Sequence, residues 1–360
     1  MTEQHPLPDL SPAPPPEPKL PTMKDMRHAY SFCGWSIFAL FLAISVAVPL
    51  LVSLIVAVFE LFHINTATFL ENNLLYLNEV LIAIALLIGA IFLFFLPKAR
   101  PERHRTSPKL FFFLFLLAIF FSTISSYAGL LWSTLFDGVL GNSFPFFLPE
   151  DTGMDINTAI SAVDPLQMFI SVGILAPIIE EFFFRKLLID RLYRHGELGA
   201  ILFSSIFFAF FHQNFQQFFY TLSVGLLLGY LYCKTGSYLS AVLMHMVFNI
   251  FSGVIPALCT EKFLEFMELT TAPEMPEISK LSLVVLAVVT ILYIIYLAIR
   301  MILMLAGGAL FFVYARKIEI KEGNPHLPLT QRISAALLNF GMASAVLISF
   351  IMLISSTTMA

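Results

Sequence analysis

The sequence predicts an all-α fold: a polytopic bundle of about eight to nine transmembrane helices with a disordered, proline-rich N-terminal tail. The first observation is composition. Of 360 residues, 58% are hydrophobic and 12% are charged, and the mean hydropathy is +0.86, values that do not describe a soluble domain. The second is a series of long apolar stretches, and the third is an alternation of basic and acidic loops between them. Together they indicate a multi-pass integral membrane protein.

The N-terminal segment, residues 1–27, carries eight prolines among polar residues. Such a composition favours an extended and solvated chain, so we expect a disordered cytoplasmic tail. The cysteines Cys33, Cys233 and Cys259 have neither metal-ligand nor paired spacing. This scatter excludes a disulfide framework as a major stabiliser.

Nine apolar stretches follow the tail, and we interpret each as a helical span because a hydrocarbon core of about 30 Å takes about 20 residues of helix. The eighth carries Arg300 near its middle. Dividing the eighth stretch at Arg300 would leave a second piece too short to cross the membrane, so we predict one tilted or kinked helix. The spans group into N-terminal helices (36–135), a core segment (166–258) and C-terminal helices (281–354). The predicted spans are 36–59, 75–96, 110–135, 167–188, 199–214, 216–233, 238–258, 281–314 and 333–354.

Loop charge sets the predicted orientation, because cytoplasmic loops accumulate lysine and arginine. Basic residues precede the first span and fill the loops between spans two and three, four and five, six and seven, and eight and nine. The opposite loops are acidic, before span four and after span seven. Nine crossings with a cytoplasmic N-terminus satisfy every loop.

Two adjacent glutamates, Glu180 and Glu181, interrupt the apolar run of span four, and Arg185 follows. Charged side chains at membrane depth cost on the order of 2.5–3.5 kcal/mol each on insertion scales, so they are usually functional. Glu181 and Arg185 share a helix face at i,i+4, whereas Glu180 is rotated by about 100°. We expect Arg185 to neutralise Glu181, and Glu180 to face a cavity as a general base. The alternative is that these charges merely end the span at the membrane interface.

Two further pairs, each containing a histidine, lie in apolar helices at the same i,i+4 spacing. Phe208 and His212 share a face of span five, and His245 and Asn249 share a face of span seven. Polar groups in a membrane need partners, so convergence with Glu180 in one cavity is the economical interpretation. The estimated membrane depths of these three residues, however, do not agree. At 1.5 Å per residue from the predicted cytoplasmic ends, Glu180 and His245 lie about 10–12 Å deep, but His212 lies about 20 Å deep.

The order Glu-Glu-x-x-x-Arg, Phe-x-x-x-His, His-x-x-x-Asn on successive apolar helices resembles the CAAX protease and bacteriocin-processing family of intramembrane proteases, also called the CPBP or Abi family. The resemblance covers residues 166–258 and leaves the outer spans and the tail unaccounted for. It implies an intramembrane endopeptidase in a lipid bilayer, with a peptide or membrane-protein substrate and no nucleic-acid partner. The expected location is the bacterial plasma membrane, with the N-terminus in the cytoplasm.

The resemblance also implies a role for each motif residue. Glu180 would activate water, and His212 would assist it or stabilise charge. His245 and Asn249 would donate hydrogen bonds to the oxyanion of the tetrahedral intermediate, which peptide hydrolysis must stabilise. The residues that support this site would be Glu181, Arg185 and Phe208.

Metal dependence is left open by the sequence, because members of this family have been classed both as metalloproteases and as metal-independent glutamate proteases. The helical zinc signature His-Glu-x-x-His is absent, so we expect no required cofactor. If zinc is bound, the candidate ligands are Glu180, His212 and His245.

Two other classes of function stay as alternatives. The first is a non-catalytic bacteriocin-immunity or binding protein of the same fold. The second is a proton-coupled transporter, which also needs intramembrane carboxylates and histidines. Transporter halves tend to repeat broken helices, and no second Glu-Glu element occurs in the sequence. The predicted spans contain neither a Gly-x-Ser-x-Gly motif nor a pair of aspartates, so serine and aspartyl intramembrane proteases are not favoured.

Overall fold

The computed structural model describes residues 20–143, 164–272, 278–321 and 327–357, and within these ranges the chain forms helices and no β-strand. The predicted all-α membrane bundle is confirmed. In chain order the helices are α1 (Met23–Leu61), α2 (Thr66–Ala90, extended by the 3₁₀ turn Ile91–Phe95), α3 (Pro108–Ser143), α4 (Pro165–His195), α5 (Glu197–Phe211), α6 (Phe215–Thr235), α7 (Tyr238–Thr271), α8 (Lys280–Lys317), α9 (Leu329–Leu337) and α10 (Phe340–Thr357).

Among the described residues, 6 helices are long and apolar enough to cross a membrane, or up to 7 if the bent pair α9 and α10 counts as one span. The sequence predicted about eight to nine. The other predicted spans, 199–214 and 216–233, correspond to α5 and α6, which lie outside the set of 6. Helix α5 has 15 residues, so it is only about 22 Å long. Helix α8 is continuous through Arg300, as expected.

Helix α1 begins at Met23, inside the predicted tail of residues 1–27 and well before the predicted span 36–59. The backbone N–H of Asp25 donates to the Thr22 hydroxyl oxygen at 3.2 Å, and the Asp25 carboxylate accepts from the Thr22 N–H at 2.9 Å. This capping box satisfies two amide groups that would otherwise lack partners, and so starts the helix early. The end of the predicted tail is corrected accordingly. Residues 1–19 lie outside the described ranges.

The predicted span 333–354 is broken rather than straight. Helices α9 and α10 meet at a bend of 62°, and Asn339 lies at the break. Its Nδ2 donates to the carbonyl oxygens of Ala335 and Ala336 at 3.2 and 2.9 Å, and its Oδ1 accepts from the Met342 N–H at 2.9 Å. One side chain therefore ends the first helix and caps the second, which is a common role of asparagine.

Two apolar clusters form the interior of the bundle. The larger is built mainly from α1, α2, α4, α5 and α10, and the smaller from α3, α6 and α7. Helix α6 packs closely on α5 at Gly225, where an added Cβ would lie 3.2 Å from side-chain atoms of both Ser205 and Phe208. Residues of both clusters, such as Phe208 and Val224, line a cavity inside the protein. That cavity contains the candidate site.

Candidate active site

Helix α4 carries Glu180 and Glu181 in a regular turn between two π-helical stretches, Ser171–Leu175 and Phe182–Ile189. Pro177, which has no backbone N–H, lies at the start of this turn. π-Helical turns widen a helix locally and recur at functional sites. Both glutamates are buried, and α4 continues beyond them to His195. They therefore lie inside the protein and do not simply end the span.

Glu181 joins two partners on different helices. Its Oε2 lies 3.1 Å from Arg185 Nε, and its Oε1 lies 3.0 Å from His245 Nδ1. Arg185 also donates from Nη2 to the carbonyl oxygen of Gly225 at 3.2 Å, and its guanidinium carbon lies 4.5 Å from the centre of the Phe208 ring. These contacts connect α4 to α5, α6 and α7, and they fix the orientation of both charged groups.

His245 lies between the two carboxylates. Its Nδ1 contacts Glu181, whereas its Nε2 lies 3.8 Å from Glu180 Oε2. An ionised carboxylate only accepts hydrogen bonds, so the Nδ1 facing Glu181 carries a hydrogen. This leaves Nε2 as the ring nitrogen that can act on a ligand. It accepts a hydrogen bond when the ring is neutral and donates one when the ring is protonated.

Phe208 packs against both histidines. The centre of its ring lies 5.0 Å from that of His212 and 5.7 Å from that of His245, and both ring pairs are nearly perpendicular. His212 is the C-cap of α5, after which Gln213 adopts a left-handed conformation (φ 49°) that turns the chain toward α6. The Nε2 of His212 is buried and has no hydrogen-bond partner among the described residues. It is therefore available to a ligand in the cavity.

Asn249 lies one turn after His245 on α7. Its Nδ2 donates to the carbonyl oxygen of Val172 at 3.0 Å, in the first π-helical stretch of α4. A carboxamide has two N–H groups and one oxygen, so this bond fixes the amide orientation and leaves a second N–H for a ligand.

A cavity of about 740 Å³ brings the candidate catalytic residues together. Its lining includes Glu180, His212, His245 and Asn249, with Phe208 beside them. Glu181 and Arg185 are not in the lining and are fully buried. Among the motif residues, one carboxylate and several hydrogen-bonding groups thus face the cavity, with an ion pair behind them.

Residues 162–251 match the family model for type II CAAX prenyl endopeptidase Rce1-like proteins. The family resemblance seen in the motifs is confirmed. The matched range covers about a quarter of the chain and contains all three motifs. At the family level, the match supports an intramembrane protease of the CAAX type with a membrane-associated substrate. No curated protein and no solved structure matches the chain at a significant level.

Helices outside the Rce1-like range complete the cavity wall, and they bring a residue that the motif analysis missed. Glu79 of α2 is only 7% exposed and lines the same cavity as Glu180, beside Asn78. It forms no ion pair with any residue in the described ranges. A carboxylate inside the apolar span 75–96 was the available signal, the same signal that singled out Glu180. Arg300 of α8 also lines the cavity.

The candidate zinc ligands Glu180, His212 and His245 do not form a metal-binding group. Within the part of the chain that the structure describes, no three His, Cys, Asp or Glu side chains are placed to hold one ion. The contact of His245 Nδ1 with Glu181 leaves Nε2 free, an arrangement that is also found in metal-bound histidines. The expectation that no cofactor is required stays a prediction.

Proposed function

We propose that this protein is an intramembrane endopeptidase that hydrolyses a peptide bond of a membrane-associated substrate, using water activated by Glu180. The observation that supports this is the cavity in which Glu180, His212, His245 and Asn249 converge within the Rce1-like segment. Peptide hydrolysis needs a base for water and donors for an oxyanion, and these residue types can supply both.

In the proposed reaction, Glu180 removes a proton from a water molecule whose oxygen forms a bond to the carbonyl carbon of the substrate. The negative charge moves to the carbonyl oxygen, where the Asn249 amide and the Nε2–H of a protonated His245 donate hydrogen bonds. The carbon–nitrogen bond then breaks, and the amine leaves with the proton that Glu180 had taken. His212 contributes its unpaired Nε2 to hold the attacking water.

Glu181 and Arg185 act as positioning residues in this proposal. The ion pair compensates two buried charges, and the second carboxylate oxygen of Glu181 fixes the His245 ring. Only a ring held at Nδ1 presents Nε2 toward Glu180 and the cavity. The motif therefore combines one reactive carboxylate with one structural carboxylate.

The deciding experiment compares purified wild-type protein with the Glu180→Gln variant on quenched-fluorescence membrane peptides. We expect wild-type cleavage and no cleavage by Glu180→Gln, because the amide cannot accept the proton from water. Glu60→Gln, an exposed change at the end of α1, is the matched control and should cleave like wild type. Turnover by a folded Glu180→Gln protein would overturn the base assignment, and a folded wild-type protein without peptidase activity would overturn the protease proposal.

The same assay tests the oxyanion donor and the metal. Asn249→Ala is expected to slow cleavage by about 10²–10³-fold, the usual cost of removing one oxyanion donor. A chelator is expected to leave the wild-type rate unchanged, because Glu180 is proposed to act without a bound ion. Loss of activity with chelator and recovery with added zinc would contradict the metal-independent mechanism. An unchanged rate in Asn249→Ala would remove Asn249 from the reaction.

A further inference from the structure

A second cavity lies at the membrane-surface end of the bundle, away from the candidate active site. It has a volume of about 360 Å³ and is lined by five residues of the α2–α3 loop and the α6–α7 turn: Arg103, His104, Arg105, Thr106 and Ser237. Neither arginine forms an ion pair with a described residue, and the only ionic contact of His104 within the described ranges is with the exposed Glu102 at 3.6 Å. The cavity therefore presents unneutralised positive charge together with two hydroxyl groups.

The loop that carries these charges has no helical structure, yet it is held in place by hydrogen bonds. The Ala99 N–H donates to the Asp190 carbonyl oxygen at 2.7 Å, and the His104 N–H donates to the Thr235 carbonyl oxygen at 2.9 Å. Arg100 Nε also lies 3.1 Å from Asp190 Oδ2. A loop that only set the membrane orientation through its charge would not need this fixed backbone. The contacts instead hold Arg103 and Arg105 at a defined place.

The loop lies at the level of lipid headgroups. It connects two helices that are apolar enough to cross a membrane, since the Leu75–Phe95 span ends just before it and α3 begins at Pro108 just after it. Exposed apolar side chains lie close to the cavity lining along the chain: Phe94 (67% exposed) and Phe95 (71%) end the helix before the loop, and Leu239 (62%) follows Ser237 by two residues. A ligand at this position would contact basic groups with its head and apolar side chains with its tail.

We propose that this cavity binds the phosphate group of an anionic phospholipid, with the acyl chains lying against the exposed aromatic and aliphatic side chains beside it. Clustered arginines at a membrane boundary attract anionic headgroups. The guanidinium group of one arginine can donate two parallel hydrogen bonds to the oxygens of a phosphate. The site also touches the proposed catalytic helix. Ser237 is the N-cap of α7, and the Thr106 hydroxyl lies 2.5 Å from that of Ser240 on the same helix. A bound lipid thus steadies the end of the helix that carries His245. The proposal does not depend on the protease assignment.

The test measures which lipids full-length protein retains. Purified protein is placed in nanodiscs that contain phosphatidylglycerol and phosphatidylcholine in equal amounts, extracted gently, and its bound lipids are counted by native mass spectrometry. Wild-type protein is expected to retain phosphatidylglycerol preferentially. In the Arg103→Gln/Arg105→Gln variant, the ratio of retained phosphatidylglycerol to phosphatidylcholine is expected to fall about tenfold. Each basic side chain near an anionic surface contributes several-fold to such binding. Arg103→Lys/Arg105→Lys keeps the charge and should keep most of the preference.

The matched control is Arg316→Gln/Lys317→Gln. These exposed cations lie at the C-terminal end of α8, outside the cavity lining, and neutralising them removes the same charge. This control should retain the wild-type preference. Equal losses in both double variants, or no preference in wild-type protein, would overturn a specific site. Excess inorganic phosphate is expected to leave the bound lipid in place. Displacement by phosphate alone would assign the site to soluble phosphate and overturn the lipid proposal.

Discussion

Glu180 and Glu181 are adjacent in the sequence, but their surroundings differ. Glu181 is fully buried, with Arg185 and His245 both about 3 Å from its oxygens. Glu180 lines the cavity, and its ionic contact among the described residues is His245 Nε2 at 3.8 Å. Removing one partner of a buried ion pair strands the other charge, whereas neutralising a carboxylate that has no close counter-charge strands none. The two glutamates should therefore differ in their effects on stability.

Glu181→Gln is expected to lower the free energy of unfolding by up to roughly 3–5 kcal/mol, because Arg185 loses its counter-charge inside the protein. Glu180→Gln is expected to leave stability close to that of wild type, since Glu180 lines the cavity and its ionic contact, His245 Nε2, lies 3.8 Å away. The measurement is the midpoint of thermal unfolding in detergent, followed by intrinsic fluorescence. Equal destabilisation by the two changes would argue against separate structural and catalytic roles.

Among individual residues, the sequence predicted those of the motifs better than the other residues that line the cavity. Helical spacing placed Glu181 and Arg185 on one face, and their contact is present at 3.1 Å. Glu79 was missed because it has no polar residue at i+4 that would form a motif, although it interrupts an apolar span in the same way as Glu180. The contact of Glu181 with His245 depends on how α7 packs on α4, which spacing along one helix does not determine.

Among the elements, the short helix α5 explains why depth could not be counted from helix ends. The count assumed that each span starts at the membrane boundary, but Glu197 at the start of α5 is buried and lies 3.4 Å from Lys234 Nζ. The start of α5 is therefore covered by other parts of the protein. His212 then reaches the same cavity as Glu180 and His245, despite a calculated difference of about 10 Å.

The sequence analysis did not predict the break at Asn339, for a related reason. A hydropathy window averages over about 20 residues, and one asparagine barely changes that average. The bend results from side-chain hydrogen bonds to three backbone groups, an effect of local geometry rather than of composition.

The crossing of α1 and α10 gives a prediction for these two elements. Gly341 packs so closely on the backbone of Ser31 that an added Cβ would overlap its carbonyl group. Backbone cannot move aside as a side chain can, so Gly341→Ala should destabilise the protein by about 1–3 kcal/mol, the usual cost of overpacking. The measurement is again the thermal unfolding midpoint in detergent.

Gly253→Ala is the matched control for that change. It also lies in a helix, but an added Cβ there meets nothing within 4 Å. Alanine loses less backbone freedom on folding than glycine, so this control should keep or slightly raise the midpoint. A midpoint for Gly341→Ala at or above that of Gly253→Ala would show that α1 and α10 do not cross at this glycine.

For the molecule as a whole, the cavity depends on helices both inside and outside the Rce1-like segment. The motif residues come from α4, α5 and α7, whereas Asn78 and Glu79 come from α2 and Arg300 from α8. Family motifs predicted the first group. The second group could not be predicted, because no local pattern states which outer helix packs against the core segment. The outer helices therefore form part of the cavity rather than only surrounding it.

The charges at the two ends of the bundle predict its orientation. Arg105 lies in the basic loop that contacts the α6–α7 turn, whereas Glu261, Glu265 and Glu268 lie near the far end of α7. About 45 Å of helix separates the start of α7 from Glu268, more than the thickness of a hydrocarbon core of about 30 Å. The two ends are therefore expected on opposite sides of the membrane, with the basic end in the cytoplasm.

Cysteine labelling in intact cells tests that orientation. The background variant carries Cys259→Ser, because Cys259 is partly exposed whereas Cys33 and Cys233 are buried. On this background, a membrane-impermeant thiol reagent should label Glu268→Cys in intact cells and should label Arg105→Cys only after the cells are permeabilised. The reverse pattern would place the basic loop outside. Labelling of both positions in intact cells would mean that α7 does not cross the membrane, which would also remove the membrane depth from which Glu180, His212 and His245 are proposed to act.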